Sequence, residues 1–554
     1  MASELPFKLN NKDIFRDNCL VNGEWVEAQS KKRFDVVDPG TGKIWATAPD
    51  NGPEDVDKTV EAAQAAFESY RKVNSRTRAQ WLLKWDALIR EHRDDIAKIV
   101  TYETGKPIAE SQGELDYALG FTWWFAGEAE RIQGTISTPA APGRRVFTIK
   151  QPIGVAVALT PWNFPIAMIL RKAGAALAAG CTMIVKPSPE TPFSVLTLAY
   201  LALQAGFPPG VFNVLTTSLD NTPSLSEALC RHELVKKVTF TGSTRVGKLV
   251  AKICSDGLKK VTLELGGNCP FLIFEDADLE QAANGQACIT ANRVYVQKSI
   301  YEDFSKLIVQ KTKGLVMGHG SEQKTTLGPV TTSRGLDKAE SQVKDAVSNG
   351  GKLLLGNGQR TKDVGGYFFE PAIIGDANRD MLIANEETFA PVLALFPFDT
   401  EEEAVQRAND TSMGLASYYF TKNVDRTWRL FENLEAGMLG INTGNSSAAE
   451  SPFGGIKESG YGKESGKDVA VNDAINSNSN FVFTNSSFSS ATSSFCFTDA
   501  SFSDEDLTAS SVALPTSMIR PTCDNRVDIE MLLRQRACYI GMVIQDMEGL
   551  HDIF

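Results

Sequence analysis

The sequence from residue 155 to residue 255 repeats one unit, in which a short apolar run is followed by a turn with Gly or Pro and then by a helix-like segment. The apolar runs occupy residues 155–159, 182–185 and 238–240, and the helix-like segments occupy residues 166–179, 192–205 and 245–255. Parallel strands need a crossover connection, usually a helix, so this spacing predicts an α/β fold with a parallel sheet and helices on both faces. A second α/β segment follows over residues 294–440.

The two ends of the chain differ from this central pattern. Residues 56–71 and 76–102 have helical spacing, and residues 147–159 are rich in β-prone types, which predicts a hairpin leading into a core strand. Residues 474–518 are rich in Ser, Thr and Asn, with scattered Phe and no periodicity, which favours disorder; a self-associating tail is the alternative. Residues 527–535 predict a short helix.

Length and composition exclude several classes of protein. A chain of 554 residues is too long for one core and predicts two or three domains. The net charge of −12, without a dense Lys/Arg block, argues against nucleic-acid binding. No run of about 18 apolar residues occurs, so no membrane span is expected. The N-terminus has neither a secretory nor a transit-peptide pattern, and the nine cysteines lack C-x-x-C spacing, so we expect a cytoplasmic protein with reduced thiols.

Two residues suggest covalent catalysis. Cys288 lies in the run Gly-Gln-Ala-Cys, and Glu264 lies at the end of an apolar run in Val-Thr-Leu-Glu-Leu-Gly-Gly. A cysteine and a glutamate beside small residues suggest a thiol nucleophile and a base for a later attack by water. A single cysteine is more often a buried small hydrophobic residue, so this interpretation depends on the motifs around it.

Four further motifs lie at strand ends or turns. In FTGSTRVG, Gly242 permits a tight turn before a helix whose N–H groups can face a pyrophosphate; an ordinary β–α turn is the alternative. In KPSPETP, Lys186 can contact a ribose or phosphate, or can be a solvated loop residue. In TPWNFP, Asn163 can donate to an oxyanion or cap the following helix. The fourth motif, EETFAP, places Glu387 before an aromatic residue.

In order, the motifs TPWNFP, KPSPETP, FTGSTRVG, LELGG, GQAC, EETFAPV and PFGGIKESG resemble those of the NAD(P)-dependent aldehyde dehydrogenase superfamily, over residues 10–472. Within it, the runs Met-Ile-Leu-Arg-Lys around Arg171 and Ile-Asn-Thr-Gly before Ser447 are most similar to succinate-semialdehyde dehydrogenases. The resemblance implies two doubly wound parallel-sheet domains with a small β oligomerisation arm. It also implies oxidation of an aldehyde, expected to be succinate semialdehyde, to a carboxylic acid through a thiohemiacetal and a thioester.

The resemblance also implies roles for individual residues. Cys288 attacks the aldehyde, Asn163 holds the oxyanion and Glu264 activates water. The residues that contact the cofactor are Trp162, Lys186, Ser188, Gly242, Ser243, Gly247, Glu387 and Phe389. Those that contact the substrate are Arg171, Ser447 and Phe453. No metal is implied.

The cofactor is expected to be NADP or NAD. NAD-preferring relatives often have a glutamate three positions after the lysine, to hold the ribose diol. Pro189 stands at that position here, and Glu190 lies one place too far. Without a carboxylate to repel a 2′-phosphate beside Lys186, we expect NADP to be used at least as well as NAD.

The resemblance divides the chain into parts. Residues 1–129 and 151–262 bind the dinucleotide, residues 130–150 form the arm, residues 263–458 are catalytic and residues 459–473 form a return segment. A homo-oligomer is implied, but residues 474–490 are rich in Ser and Asn, so we expect the arm to lack its partner strand and the assembly to be weakened.

Two departures leave other functions open. Glu264 and Cys288 are 24 positions apart, shorter than the family spacing by roughly ten residues, which in a helix correspond to about 15 Å. The C-terminal tail of residues 474–554 also differs from the family pattern. The alternatives are a catalytically impaired nucleotide-binding protein, a protein that acts through its tail, and a mistaken exon boundary in the coding sequence.

Overall fold

The computed structural model describes residues 5–282, 292–361, 365–444 and 446–466, together with the backbone of two strands, Ile475–Asn476 and Asn480–Thr484. These residues belong to one compact unit, Met1–Ser487. Cys288 lies outside the described residues, as do most of the Ser/Asn-rich tail and the helix predicted at 527–535.

The N-terminal part consists of short antiparallel strands followed by four helices. The strands are β1 (Cys19–Val21), β2 (Glu24–Val26), β3 (Arg33–Asp38) and β4 (Lys43–Pro49), and the helices are α1 (Val56–Tyr70), α2 (Ser75–Glu91), α3 (Arg93–Thr104) and α4 (Ile108–Ala129). The prediction of one helical run over 76–102 is wrong at its centre. His92 leaves the helical region, with φ −101° and ψ 16°, and its backbone N–H bonds back to α2.

A small β arm follows α4. It contains β5 (Thr135–Ser137), β6 (Arg144–Thr148) and β7 (Gln151–Pro152).

The first large sheet contains the repeated unit seen in the sequence. In chain order its elements are β8 (Val155–Leu159), α5 (Ala167–Ala179), β9 (Thr182–Lys186), α6 (Pro192–Ala205), β10 (Phe212–Val214), α7 (Thr222–Arg231), β11 (Val235–Thr241), α8 (Thr244–Ser255) and β12 (Lys260–Glu264). The five strands are parallel, in the order β10-β9-β8-β11-β12. The strand order reverses between β8 and β11, and at such a switch point the carboxyl ends of the strands open onto a crevice.

The second sheet has seven strands, in the order β15-β16-β17-β14-β13-β19-β20, and only β15 is antiparallel to its neighbour. Its elements are β13 (Pro270–Ile273), α9 (Leu279–Ala282), β14 (Arg293–Gln297), α10 (Tyr301–Lys313), α11 (Ser333–Ser348), β15 (Lys352–Leu355), β16 (Ala372–Gly375), α12 (Leu382–Asn385), β17 (Val392–Phe398), α13 (Glu401–Asn409), β19 (Ala416–Phe420), α14 (Val424–Asn433) and β20 (Met438–Ile441). Two short strands, β18 (Met413–Gly414) and β21 (Ile456–Lys457), pair antiparallel in a separate sheet. The predicted α/β fold with two parallel sheets is confirmed, whereas the domain limits stay a prediction.

The arm corrects one expectation. Strand β23 (Asn480–Thr484) pairs antiparallel with β6, with Phe481 opposite Phe147, and β22 (Ile475–Asn476) pairs with β7. The expectation that the arm lacks a partner strand is therefore wrong. Within the Ser/Asn-rich region, the run Phe-Val-Phe-Thr consists of β-prone residue types, and its pairing covers an edge of the arm.

Candidate active site

The predicted site residues meet at the carboxyl edge of the first sheet. Asn163 lies in the loop after β8, Lys186 is the last residue of β9 and Glu264 is the last residue of β12. Ser243 caps α8 after β11 by accepting a hydrogen bond from Val246. A parallel sheet brings these ends together because every strand runs in the same direction.

The structure decides between the two interpretations of Asn163. The N-terminus of α5 is satisfied by Glu114, whose buried carboxylate accepts hydrogen bonds from the N–H groups of Ile166 (2.8 Å) and Ala167 (3.2 Å). Lys106 pairs with Glu114 at 2.7 Å and also donates to the Asn163 carbonyl at 2.8 Å. The Asn163 Oδ1 atom is buried, and no described residue bonds to it. The side chain is thus not a helix cap and is available to a ligand.

Glu264 lies in a buried network of charges. Burial, followed by the charge of the Glu464 carboxylate, raises the pKa of Glu264 to about 8. Glu464 pairs with buried Lys172 and accepts a hydrogen bond from Thr239 at 2.8 Å. A Cβ at Gly454, where φ is +153°, would lie 3.0 Å from the Glu264 carboxylate, so glycine permits this close approach. A carboxyl group with this pKa can exchange a proton near neutral pH.

Sequence reasoning assigned no role to Lys172 or Glu464. Their interaction joins α5 to a loop almost 300 positions later in the chain (|i−j| = 292). A signal was present, because Glu464 follows the PFGGIKESG motif closely, but its partner could not be identified without the fold.

The substrate residues meet around one buried guanidinium. Arg171, 1% exposed, lies with its Cζ 3.9 Å from the ring centre of Phe453 and 4.8 Å from that of Phe121. Its Nη2 donates to the hydroxyl groups of Tyr117 and of Ser447, the latter at 3.2 Å. Its Nε and Nη1 atoms are buried, and within the described residues they have no hydrogen-bond partner. Since buried charges are normally paired, this arrangement can accept a carboxylate.

Tyr117 is a site residue that sequence reasoning missed. It lies within the apolar helix α4 and bonds to both Arg171 and Ser447. Nothing in the residues around it distinguishes it from a core tyrosine, and only the packing of α4 against α5 brings its hydroxyl group to the guanidinium.

Lys186 and Ser188 lie beside a carboxylate. Burial lowers the pKa of Lys186 to about 8, an effect that the nearby Glu190 charge partly offsets. Ser188 donates a hydrogen bond to Glu190 at 2.5 Å, and Arg334 contacts the other Glu190 oxygen at 3.4 Å. The expectation that no carboxylate stands beside Lys186 is therefore wrong, because the turn folds Glu190 back towards Ser188.

The remaining predicted cofactor residues lie on both sides of the same cleft. The rings of Trp162 and Phe389 meet edge to face, with centroids 5.6 Å apart. Burial raises the pKa of Glu387 to about 7, and its carboxylate accepts from the N–H of Gly267 at 3.4 Å.

Steric constraints explain the glycines of the FTGSTRVG motif. A Cβ at Gly247 would collide with the buried side chain of Leu265, so glycine lets α8 approach the sheet. Gly242 provides the turn before Ser243. The helix N-terminus of α8 and the buried ammonium of Lys186 fit a nicotinamide dinucleotide. In the part of the chain that the structure describes, no group of three His, Cys, Asp or Glu residues could hold a metal ion. Nor is any helix there long and apolar enough to cross a membrane.

The comparison with known families agrees with this geometry. Residues 25–477 match the model of the aldehyde dehydrogenase family. The chain belongs to this family. The interpretation of the motifs as those of a nicotinamide-dependent aldehyde dehydrogenase is confirmed.

Relatives within the aldehyde dehydrogenases are similar over nearly their whole length. The chain is 46% identical to the succinate-semialdehyde dehydrogenase [NADP(+)] of Saccharomyces cerevisiae, with 82% of this chain and 93% of the relative covered. It is 43% identical to the glutarate-semialdehyde dehydrogenase of Pseudomonas putida, with coverage of 83% and 96%. The solved succinate-semialdehyde dehydrogenase from Burkholderia pseudomallei superposes with a TM-score of 0.83 at 40% identity, covering 86% of this chain and 100% of that structure.

Proposed function

We propose that this aldehyde dehydrogenase oxidises succinate semialdehyde to succinate. The observation that carries the proposal is buried Arg171, whose Nε and Nη1 lack partners in the described part of the chain. A planar guanidinium binds a carboxylate in a bidentate manner, so the pocket suits an aldehyde with a distal carboxylate. The names of the relatives in yeast and Pseudomonas putida, both semialdehyde dehydrogenases, support this substrate class.

Cys288 is the proposed nucleophile. Its thiolate adds to the aldehyde carbon, and the Asn163 side-chain amide with the Cys288 backbone N–H donates to the developing oxyanion. When bound, a nicotinamide cofactor supplies the hydride acceptor of the oxidation. The acyl group is then held on the Cys288 sulfur as a thioester.

Glu264 is the proposed base for hydrolysis of this thioester. It takes a proton from water, which attacks the acyl carbon and releases the carboxylic acid and the Cys288 thiolate. The neighbouring pair of Lys172 and Glu464 tunes the pKa of Glu264, because the Glu464 charge raises this pKa and the Lys172 charge lowers it.

We propose NADP as a cofactor used at least as well as NAD. Lys186 offers a buried ammonium, and Pro189 stands where a ribose-binding glutamate would be needed. The remaining sites proposed for the cofactor are Trp162, Ser188, Gly242, Ser243, Gly247, Glu387 and Phe389. We further propose the division into cofactor-binding, arm and catalytic parts at the limits given above, a cytoplasmic location and a homo-oligomeric assembly.

The test is formation of reduced cofactor, measured by its absorbance, with succinate semialdehyde, glutarate semialdehyde and butanal. We expect the highest kcat/KM for succinate semialdehyde. Cys288→Ala should abolish turnover while cofactor binding persists, and Cys538→Ala serves as the matched control. Cofactor binding by the wild-type chain without turnover of any aldehyde would instead support the impaired nucleotide-binding protein.

A further inference from the structure

An ion pair crosses the cleft between the two halves of the proposed cofactor site. Glu190 lies in the turn between β9 and α6, close to Lys186 and Ser188. Arg334 lies in the first turn of α11, whose Gln342 bonds to Thr388 beside Glu387. The contact from Arg334 Nη2 to Glu190 Oε1, at 3.4 Å, therefore links the side of the cleft around Lys186 to the side around Glu387.

The position of Arg334 does not stabilise α11, the helix to which it belongs. A cation in the first turn interacts unfavourably with the positive end of the helix dipole, and Thr332 already caps α11 by accepting from the N–H of Gly335. The contact with Glu190 is single rather than bidentate, and the Arg334 side chain is 61% exposed. Such an ion pair is weak and screened by solvent. A phosphate, which has three acceptor oxygens and a larger negative charge than a carboxylate, can therefore displace Glu190.

We propose that Arg334 binds the 2′-phosphate of NADP and that Glu190 competes with this phosphate for Arg334 and Ser188. This inference rests on the proposed function, and it adds a residue pair that sets the preference between NADP and NAD. In the free protein Glu190 accepts a hydrogen bond from the Ser188 hydroxyl group and also pairs with the Arg334 guanidinium. A bound 2′-phosphate accepts from both donors and from Lys186, and Glu190 moves towards solvent.

The competition explains how a carboxylate can stand beside a phosphate site. Glu190 neutralises Arg334 when no cofactor is bound, so the cleft does not carry two unpaired cations. NAD lacks the phosphate and leaves the ion pair intact. Removal of the Glu190 charge should therefore favour NADP alone, and removal of the Arg334 charge should disfavour NADP alone.

The experiment is calorimetric titration of the full chain with 2′,5′-ADP and with 5′-AMP, which differ by the 2′-phosphate and need no turnover. For Arg334→Gln we expect binding of 2′,5′-ADP to weaken about tenfold and binding of 5′-AMP to change less than about twofold. For Glu190→Gln we expect 2′,5′-ADP to bind about three- to tenfold more tightly, with 5′-AMP unchanged. Arg429→Gln removes a comparably exposed arginine paired with Glu401, and it is the matched control.

The outcomes separate the inference from the function. Equal effects of Arg334→Gln on both ligands, no effect on either, or weaker binding of 2′,5′-ADP to Glu190→Gln would overturn the assignment. Binding of neither ligand to the wild-type chain would also overturn it, together with the cofactor site. The expected pattern in a chain that oxidises no semialdehyde would support the role of Arg334 while refuting the proposed reaction.

Discussion

Replacement of Arg171 by methionine tests how this chain selects its substrate. Methionine has a similar length, and the Phe453 and Phe121 rings that flank the guanidinium suit an apolar side chain. Tyr117 and Ser447 bond to one another and stay satisfied. We therefore expect the variant to fold, with a pocket that no longer offers a charge to a carboxylate.

The size of the effect follows from the two unpartnered nitrogen atoms. A hydrogen bond to a charged group contributes about 1.5–3 kcal/mol, so loss of both should cost about 3–6 kcal/mol in transition-state binding. At about 1.4 kcal/mol per factor of ten, kcat/KM for succinate semialdehyde should fall roughly 10²- to 10⁴-fold. Butanal, which has no carboxylate, should lose less than about threefold.

The assay must be made above the pKa of Glu264. The Arg171 charge lowers the pKa of Glu264, so its removal raises that pKa and leaves less of the base deprotonated at neutral pH. Steady-state kinetics at about pH 9 reduces this effect. Arg171→Lys, which keeps the charge but loses the planar fork, should recover part of the activity. Equal losses for butanal and succinate semialdehyde would refute the carboxylate site.

Three further expectations concern proton transfer, stability and the arm. The rate of thioester hydrolysis should rise with pH through about 8 as Glu264 deprotonates. Glu464→Gln should shift this rise to lower pH, because the variant removes a negative charge that raises the pKa of Glu264. An unshifted pH profile in stopped-flow measurements would contradict this expectation. Glu114→Ala should lower the free energy of unfolding in urea by about 3–5 kcal/mol, because half-buried Lys106 and two buried helix N–H groups lose their partner, whereas exposed Glu61→Ala should change it by less than about 0.5 kcal/mol. Truncation after residue 473 removes the strand that pairs with β6 and should increase aggregation in light scattering, and an unchanged size distribution would show that β23 is dispensable.

The local pattern of the sequence determined most of the fold. Strands β8 and β9 are buried on both faces and therefore read as continuous apolar runs, and α6 matches its predicted limits because Pro192 begins it and Gly206 ends it. The sequence pattern gave a wrong prediction where a short structural element lay within a longer segment of a different type. One residue, His92, interrupts a long helical run, and one β-prone run of four residues is enclosed by Ser and Asn.

The position of motifs at strand ends also determined where the site lies, because the carboxyl ends of parallel strands share one edge. Only the tertiary structure decided which charges meet there. Glu114 displaces Asn163 as the cap of α5, Tyr117 reaches Arg171, and Glu190 turns back to Ser188 and Arg334. Electrostatic and hydrogen-bond contacts act over a few ångströms, whereas all but one of these partners lie 52 or more positions apart in the chain. A pKa such as that of Glu264 depends on burial and on such neighbours, so it is a property of the folded chain.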